Sequence, residues 1–314
     1  MSRSLLVLLL FWGVCAACLT DHLLPPIEAK LERYVLPGNN FFPEGIAYDP
    51  TKGVFYTGSI GTGNIVKVDV QTGDTVLFAS GAAQGRTVCN GLKLDAQGRL
   101  WVSGGANNKI QVLNPNGSLL KNWDLTPFFA TGFINDCILD NQYVYFTDSQ
   151  NRVVYRTSVA TTQPGDIEQW LIFTDQQIPY TLPGTNANGI VITPDSKYLI
   201  IVVSTSGKLY RIDTNTKAIA EIQLNTPVTA GDGLLLDQNV LYVSRNALNK
   251  IFPVTLSADY LQGTVGNGFG ENLLFNTTMA KVRSNLLVVN GQLNRRTGST
   301  PPVLPFTVSR VPIP

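Results

Sequence analysis

Along most of the chain, apolar and polar positions alternate in short runs, and Gly, Asp, Asn or Pro punctuates them at close intervals. A period of two broken by turn residues predicts short β-strands, and no convincing 3.6-residue helical period appears. The runs themselves recur. A polar lead residue, usually followed by Gly or Asp, opens a β-prone run, a turn and a second, strongly apolar run. This unit reads PEGIAYDPTKGVFYTGS from Pro43, CNGLKLDAQGRLWVSG from Cys89, INDCILDNQYVYFTDS from Ile134, ANGIVITPDSKYLIIVVS from Ala187 and GDGLLLDQNVLYVS from Gly231. A degraded copy, TTMAKVRSNLLVVN, starts at Thr277. The lead residues Glu44, Asn90, Asn135, Asn188 and Asp232 stand 46, 45, 53 and 44 residues apart, and a sixth position near Thr278 continues the series. A fixed period of this size marks a repeat architecture.

Each unit then offers a third alternating run, at 64–70, 109–113, 152–159, 208–213 and 250–256, and a fourth is legible at 74–79, 168–173 and 218–224. Four strands per unit of this length predict an all-β fold, a six-bladed β-propeller with four-stranded blades. The last unit has only 286–290 and 307–312 for its second and third strands, which leaves it one strand short. Residues 29–36 lie ahead of the first lead residue and can supply the missing outer strand, so that an N-terminal strand completes the last blade and no sheet edge stays open. The expected organisation is a signal peptide over 1–20 and a single propeller domain over 21–314.

Composition narrows the partners. Charged residues make up 14% of the 314, against roughly 25% in an average soluble domain. The formal net charge is +1 and no run of Lys or Arg occurs, so neither nucleic acid nor an anionic membrane is an expected partner. The N-terminus, MSRSLLVLLLFWGVCAACLTDH, has one Arg, an apolar run and then small residues, the layout of a cleaved secretory signal. The apolar run is short for a membrane span, and a lipid-modified Cys18 is the lesser alternative. The expected protein is therefore secreted and monomeric. Cys89 and Cys137 remain after cleavage, and an oxidising compartment permits a bridge between them without requiring one. Asn116 and Asn276 head glycosylation sequons, which make the chain a glycoprotein only in a eukaryotic secretory pathway.

Equivalent positions of a circular array face its axis together, so the lead residues converge on a central channel. Glu44, Asn90, Asn135, Asn188 and Asp232 bring oxygen atoms and two carboxylates, which would repel each other when buried unless a cation offset them. Oxygen donors without sulfur or imidazole suit a hard ion, Ca²⁺ first, with Mg²⁺, Mn²⁺ or Zn²⁺ as alternatives. For each lead residue the plainer reading is a turn cap that bonds backbone groups, and for Asn90 that reading weighs evenly with a substrate-facing or water-mediated metal role.

Taken in register, PEGIA, IND, ANGI and GDGL resemble the regucalcin/gluconolactonase family, calcium-dependent six-bladed hydrolases related to diisopropyl fluorophosphatases and paraoxonases. The resemblance spans residues 41–311. It implies that Glu44, Asn135, Asn188 and Asp232 ligate a catalytic calcium, with Asp232 also the general base or nucleophile in opening a lactone or ester. Two departures bear on the substrate, a small molecule. Phe133 stands where sugar-lactone members carry an Arg two residues before the third-unit Asn, which favours an apolar substrate. Asn90 stands where paraoxonases have a catalytic His, and the only histidine, His22, adjoins the leader, so no His-assisted mechanism is expected. VYFTDS around Asp148 is also similar to strictosidine synthase-like propellers; Asp148 reads as a turn residue or as part of the substrate pocket. Arg86 reads as a solvated loop residue, with contact to an anionic substrate as the alternative. Two other functions stay open: a calcium-stabilised propeller that binds a ligand without chemistry, and a strictosidine synthase-like enzyme.

Overall fold

The computed structural model describes residues 29–160 and 162–314, so the expected leader over 1–20 and His22 lie outside the described residues. The protein is all-β, and its only helices among the described residues are three single 3₁₀ turns. None of them is long and apolar enough to cross a membrane. The first unit holds β2 (Pro43–Asp49), β3 (Val54–Ser59), β4 (Ile65–Asp69) and β5 (Thr75–Ala79), after a short β1 (Arg33–Val35). The second holds β6 (Leu92–Leu94), β7 (Leu100–Ser103), β8 (Lys109–Leu113) and β9 (Leu119–Asp124). The third holds β10 (Ile134–Leu139), β11 (Tyr143–Asp148), β12 (Val153–Ser158) and β13 (Glu168–Ile172). β14 (Ala187–Ile192), β15 (Tyr198–Val203), β16 (Lys208–Asp213) and β17 (Ile219–Leu224) form the fourth, and β18 (Gly231–Asp237), β19 (Val240–Arg245), β20 (Lys250–Leu256) and β21 (Gln262–Val265) the fifth. The chain ends with β22 (Asn276–Val282), β23 (Asn285–Asn290) and β24 (Thr307–Pro312).

Each unit is an antiparallel meander, and the arrangement is propeller-like: β2, β6, β10, β14, β18 and β22 touch in that order, and β22 returns to β2. β1 pairs with β24 from Arg33↔Ser309 to Val35↔Thr307, so the N-terminal strand completes the last sheet. One feature departs from six separate blades. The sheets are four four-stranded ones and one eight-stranded one, because the outer edges β17 and β21 pair in parallel at Gln223↔Gln262 and Leu224↔Gly263. Gln223 N–H also donates to the Leu261 carbonyl at 2.9 Å, and Asn225 accepts from Val265 N–H at 2.8 Å. A short fifth-unit outer strand thus finds backbone partners on its neighbour.

The core lies between facing sheets. Trp101, Ile110 and Val112 of the second unit pack against Val144, Phe146, Val153 and Tyr155 of the third, and comparable apolar layers fill the other interfaces. Every side chain named in that layer is at most 2% exposed, and burying one of this size contributes roughly 1.5–3 kcal/mol. Cys89 and Cys137 are free thiols within these layers. Arg86 is not a solvated loop residue: it is 3% exposed, and its guanidinium donates to the Gly63 carbonyl, Gln84 and Gln111 at 2.7–2.8 Å, which ties the first unit to the second. Asn116 sits exposed in a turn, whereas Asn276 is fully buried with its amide nitrogen bonded to Ser244 and the Lys250 carbonyl, leaving no room for a glycan.

Candidate functional site at the channel mouth

Five of the inner strands carry the same irregularity at the same place. Pairing jumps from Pro43↔Ser59 to Ile46↔Thr57, and the jump repeats at 134/137, 187/190, 231/234 and 276/279. Two residues therefore oppose one on the partner strand, a β-bulge, which re-aims the side chain at the bulge. The first bulged residues are Glu44, Asn135, Asn188, Asp232 and, in the last unit, Thr277, next to the Thr278 near which the sixth position was expected. Thr277 does not reach the cavity; its hydroxyl donates to the Glu44 carbonyl at 2.8 Å and closes the ring.

The residue after the lead explains the recurrent glycine. A Cβ on Gly189 would lie 2.2 Å from the Asp232 carbonyl oxygen, and one on Gly45 2.2 Å from that of Asn90. Neighbouring inner strands thus touch backbone to backbone, which is what draws the lead residues onto one axis. Only the third unit puts a carboxylate in this slot, Asp136, which the sequence reading passed over.

The lead residues Glu44, Asn90, Asn135, Asn188 and Asp232 line one cavity of about 530 Å³ at the channel mouth. Phe133, Ala230 and Phe275, each two residues ahead of a lead position, form part of its rim with Leu293 and Asn294. Thr185, Thr205 and Thr229 add hydroxyl-bearing side chains, and Asn246 a further amide. Among the described residues, Lys, Arg, His and Cys are absent from this lining. The opposite mouth is apolar, with Ile46, Ile138, Leu235 and Met279 around Lys93 and Lys281. Asp148 does not line the cavity. It is wholly buried, and its Oδ1 accepts from the backbone N–H groups of Phe133, Gln150 and Asn151 at 2.9–3.0 Å, so its part is to hold the loop that presents Phe133.

The acids are strained electrostatically. Burial, then repulsion from Asp232 and Asp136, drives the Glu44 carboxyl well above the ordinary carboxylate range, with Lys93 opposing. Asp232 is pushed up to about 7, mainly by burial and in part by Asp136, although hydrogen bonds from Asn246 and Asn188 favour its charged form. The Asn246 amide lies 3.0 Å from Asp232 Oδ2. Asp136 is likewise raised by burial. Two buried acceptors in the cavity, Glu44 Oε2 and Asn90 Oδ1, receive no hydrogen bond, and neither does Asp136 Oδ2. An acceptor without a donor costs about 1–3 kcal/mol, more when charged. Among the described residues no three His, Cys, Asp or Glu side chains cluster as a metal site does. The donor set is instead two carboxylates among amide oxygens, which fits a hard divalent cation with oxygen ligands and not a soft one.

No protein-family model matches the chain, and no curated protein matches it by sequence. Solved structures do resemble it in fold. A calcium-binding protein, regucalcin, from Agrobacterium tumefaciens superposes with a TM-score of 0.66 at 15% identity, covering 90% of this chain and 95% of that one. The major Malassezia sympodialis allergen Mala s 1 gives 0.67 at 15% identity, covering 90% and 96%. A streptogramin B lyase gives 0.59 at 16% identity, covering 90% and 98%. At such identities the likeness establishes the fold alone.

Proposed function

We propose that this chain is a secreted six-bladed propeller hydrolase that holds one divalent cation, Ca²⁺, on Glu44, Asn135, Asn188 and Asp232 and opens a neutral lactone or related ester. In this reading the eight-stranded sheet counts as two blades fastened at their outer edges, and the apolar N-terminal run is its secretory leader. The observation that carries the proposal is the pair of donorless buried oxygens, Glu44 Oε2 and Asn90 Oδ1, in a cavity whose two carboxylates are both held above their ordinary range. A bound cation would offset that charge and polarise a substrate carbonyl.

The chain's own residues would do the remaining work. Asn246 holds Asp232 Oδ2 and fixes the orientation of the carboxylate. Asp232 takes a proton from a water molecule as the water oxygen bonds to the carbonyl carbon; the ester C–O bond breaks, and the same proton passes to the departing alcohol oxygen. Phe133, Phe275 and Leu293 would hold the apolar part of the substrate, and a lining without Lys, Arg or His among the described residues gives an anionic sugar acid no cationic side chain to pair with.

Metal analysis of the purified protein, paired with a panel of lactones and aryl esters, tests the reading. Turnover that chelator abolishes and Ca²⁺ restores, with Asp232→Asn losing rate, is the expected result. Calcium binding without turnover across the panel identifies a ligand-binding propeller instead. A protein that carries no divalent ion and melts at the same temperature with or without chelator refutes the cation site.

A further inference from the structure

An Asn side chain offers a cation either its carbonyl oxygen, which binds, or its NH₂ group, which repels. In the third unit the Asn135 amide nitrogen donates to Ser149 Oγ at 2.9 Å, and Ser149 Oγ donates to the Ala187 carbonyl at 2.6 Å. In the fourth, the Asn188 amide nitrogen donates to Ser204 Oγ at 3.0 Å, and Ser204 Oγ donates to the Gly231 carbonyl at 2.5 Å. A hydroxyl has one proton, and a backbone carbonyl can only accept it. Each serine is therefore left with lone pairs toward the amide, which must present N–H. We infer that Ser149 and Ser204 are positioning residues that lock the carbonyl oxygens of Asn135 and Asn188 toward the channel, and so set the affinity of the cation site.

The two carbonyls that take the serine protons immediately precede Asn188 and Asp232. The links therefore run in series through three units, from Asn135 through Ser149 to the strand that carries Asn188, and from Asn188 through Ser204 to the strand that carries Asp232. The hydroxyl-to-carbonyl half of the link recurs in the fifth unit, where Ser244 Oγ donates to the Asn276 carbonyl at 2.9 Å just ahead of Thr277, but that serine accepts from Asn276 and not from a lead residue. The half confined to the third and fourth units is the lead amide's own N–H donated to the serine. In the first unit Ser59 Oγ accepts from the N–H groups of Gly61 and Thr62, and in the second no hydroxyl among the described residues bonds the Asn90 side chain.

The inference rests on the cation reading above, and its test separates the two. Ca²⁺ is titrated calorimetrically into the chelator-stripped full-length mature protein, into Ser149→Ala, into Asn135→Asp and into the double variant. Groups that orient metal ligands typically change affinity about 10- to 100-fold, and Ser149→Ala is expected to weaken binding by that factor. A carboxylate has no wrong face, so in the Asn135→Asp background the same serine substitution should cost less than about threefold, the two changes being strongly coupled. Ser204→Ala with and without Asn188→Asp repeats the cycle at the second link, where the Asn188 amide also bonds Asp232, and serves if one variant fails to fold. An equal loss in both backgrounds would mean that the serines act only by supporting the next strand, and no loss from either serine would remove them from the site; either result overturns the inference while leaving the cation site standing. A wild-type protein that binds no Ca²⁺ overturns both.

Discussion

Three buried carboxyls with raised pKa values give the cation-free protein an unusual dependence of stability on pH. Where a carboxyl is harder to ionise folded than unfolded, the folded state binds more protons between the two pKa values, and stability falls as pH rises through that window. Asp232, at about 7 in the folded protein against a reference of 3.8, defines a window from about pH 4 to pH 7, and Glu44 and Asp136 shift in the same direction. Turn aspartates work the other way: Asp213, held down by the N–H groups of Thr216 and Asn215, stabilises above its unfolded pKa and loses that only in stronger acid. Their window closes below about pH 4.5, so between pH 5 and pH 8 the channel acids are the described carboxyls that govern the slope. Over the two units from 5 to 7, at about 1.4 kcal/mol per unit, Asp232 alone corresponds to a loss on the order of 3 kcal/mol. At about 2 °C per kcal/mol for a large domain, the melting temperature in chelator should drop by roughly 6 °C between pH 5 and pH 8. Calcium at about a hundred times its dissociation constant should return about 2.7 kcal/mol, near 5 °C, at pH 8, and less at pH 5, where protons occupy the acids. Differential scanning fluorimetry across this range with chelator or Ca²⁺ is sufficient, with Asp232→Asn as the control that flattens the slope. A melting temperature in chelator that is flat or rises from pH 5 to pH 8 would refute the electrostatic argument.

Other outcomes follow from the same geometry. Glu44→Gln removes the carboxylate whose Oε2 has no donor, so it should raise the melting temperature in chelator at pH 8 and weaken Ca²⁺ binding at least tenfold by calorimetry. Gly189→Ala places a Cβ 2.2 Å from the Asp232 carbonyl oxygen and 2.8 Å from Leu234 N, backbone atoms that cannot yield cheaply; denaturant titration should show a loss of about 3 kcal/mol or more. Both thiols are fully buried, and burial pushes Cys89 up to about 12, so neither should react with a maleimide in the native protein and both should react after denaturation, without reductant.

The fold was legible because it repeats. Third strands expected at 109–113, 208–213 and 250–256 coincide with β8, β16 and β20, since a period-two pattern fixes a strand wherever one sheet face is buried. Outer strands were harder to see. β9, which mixes buried and exposed positions, and β21, which is only four residues long, were not assigned, and the parallel contact of β17 with β21 leaves no pattern in either segment because it is made by backbone groups and by Asn225 just beyond β17. Arg86 misled for a related reason: its partners are a carbonyl oxygen and two glutamines from separate segments, so no nearby acid announced that it was buried.

At the site, side chains that converge by symmetry could be found from the sequence, and those that hold them could not. Glu44, Asn90, Asn135, Asn188 and Asp232 occupy equivalent positions, so counting the period was enough to bring them to one cavity. Ser149, Ser204 and Asn246 lie one strand away; serine recurs at this place in five units, as Ser59, Ser103, Ser149, Ser204 and Ser244, and so marks the repeat without telling which of them bonds a lead amide. The repeat nevertheless contains the reason for their importance. The ring makes its channel from the same bulge on five of its six inner strands, and that bulge aims a side chain without deciding which of its atoms faces the axis. For a carboxylate the omission is harmless, because its two oxygens are equivalent. For an amide it is decisive, and the fold supplies the missing information from the adjacent strand of the same unit, through a hydroxyl whose single proton is already committed to the next unit. An amide-rich site of this kind therefore depends on ring closure twice, once to gather its oxygens and once to orient them.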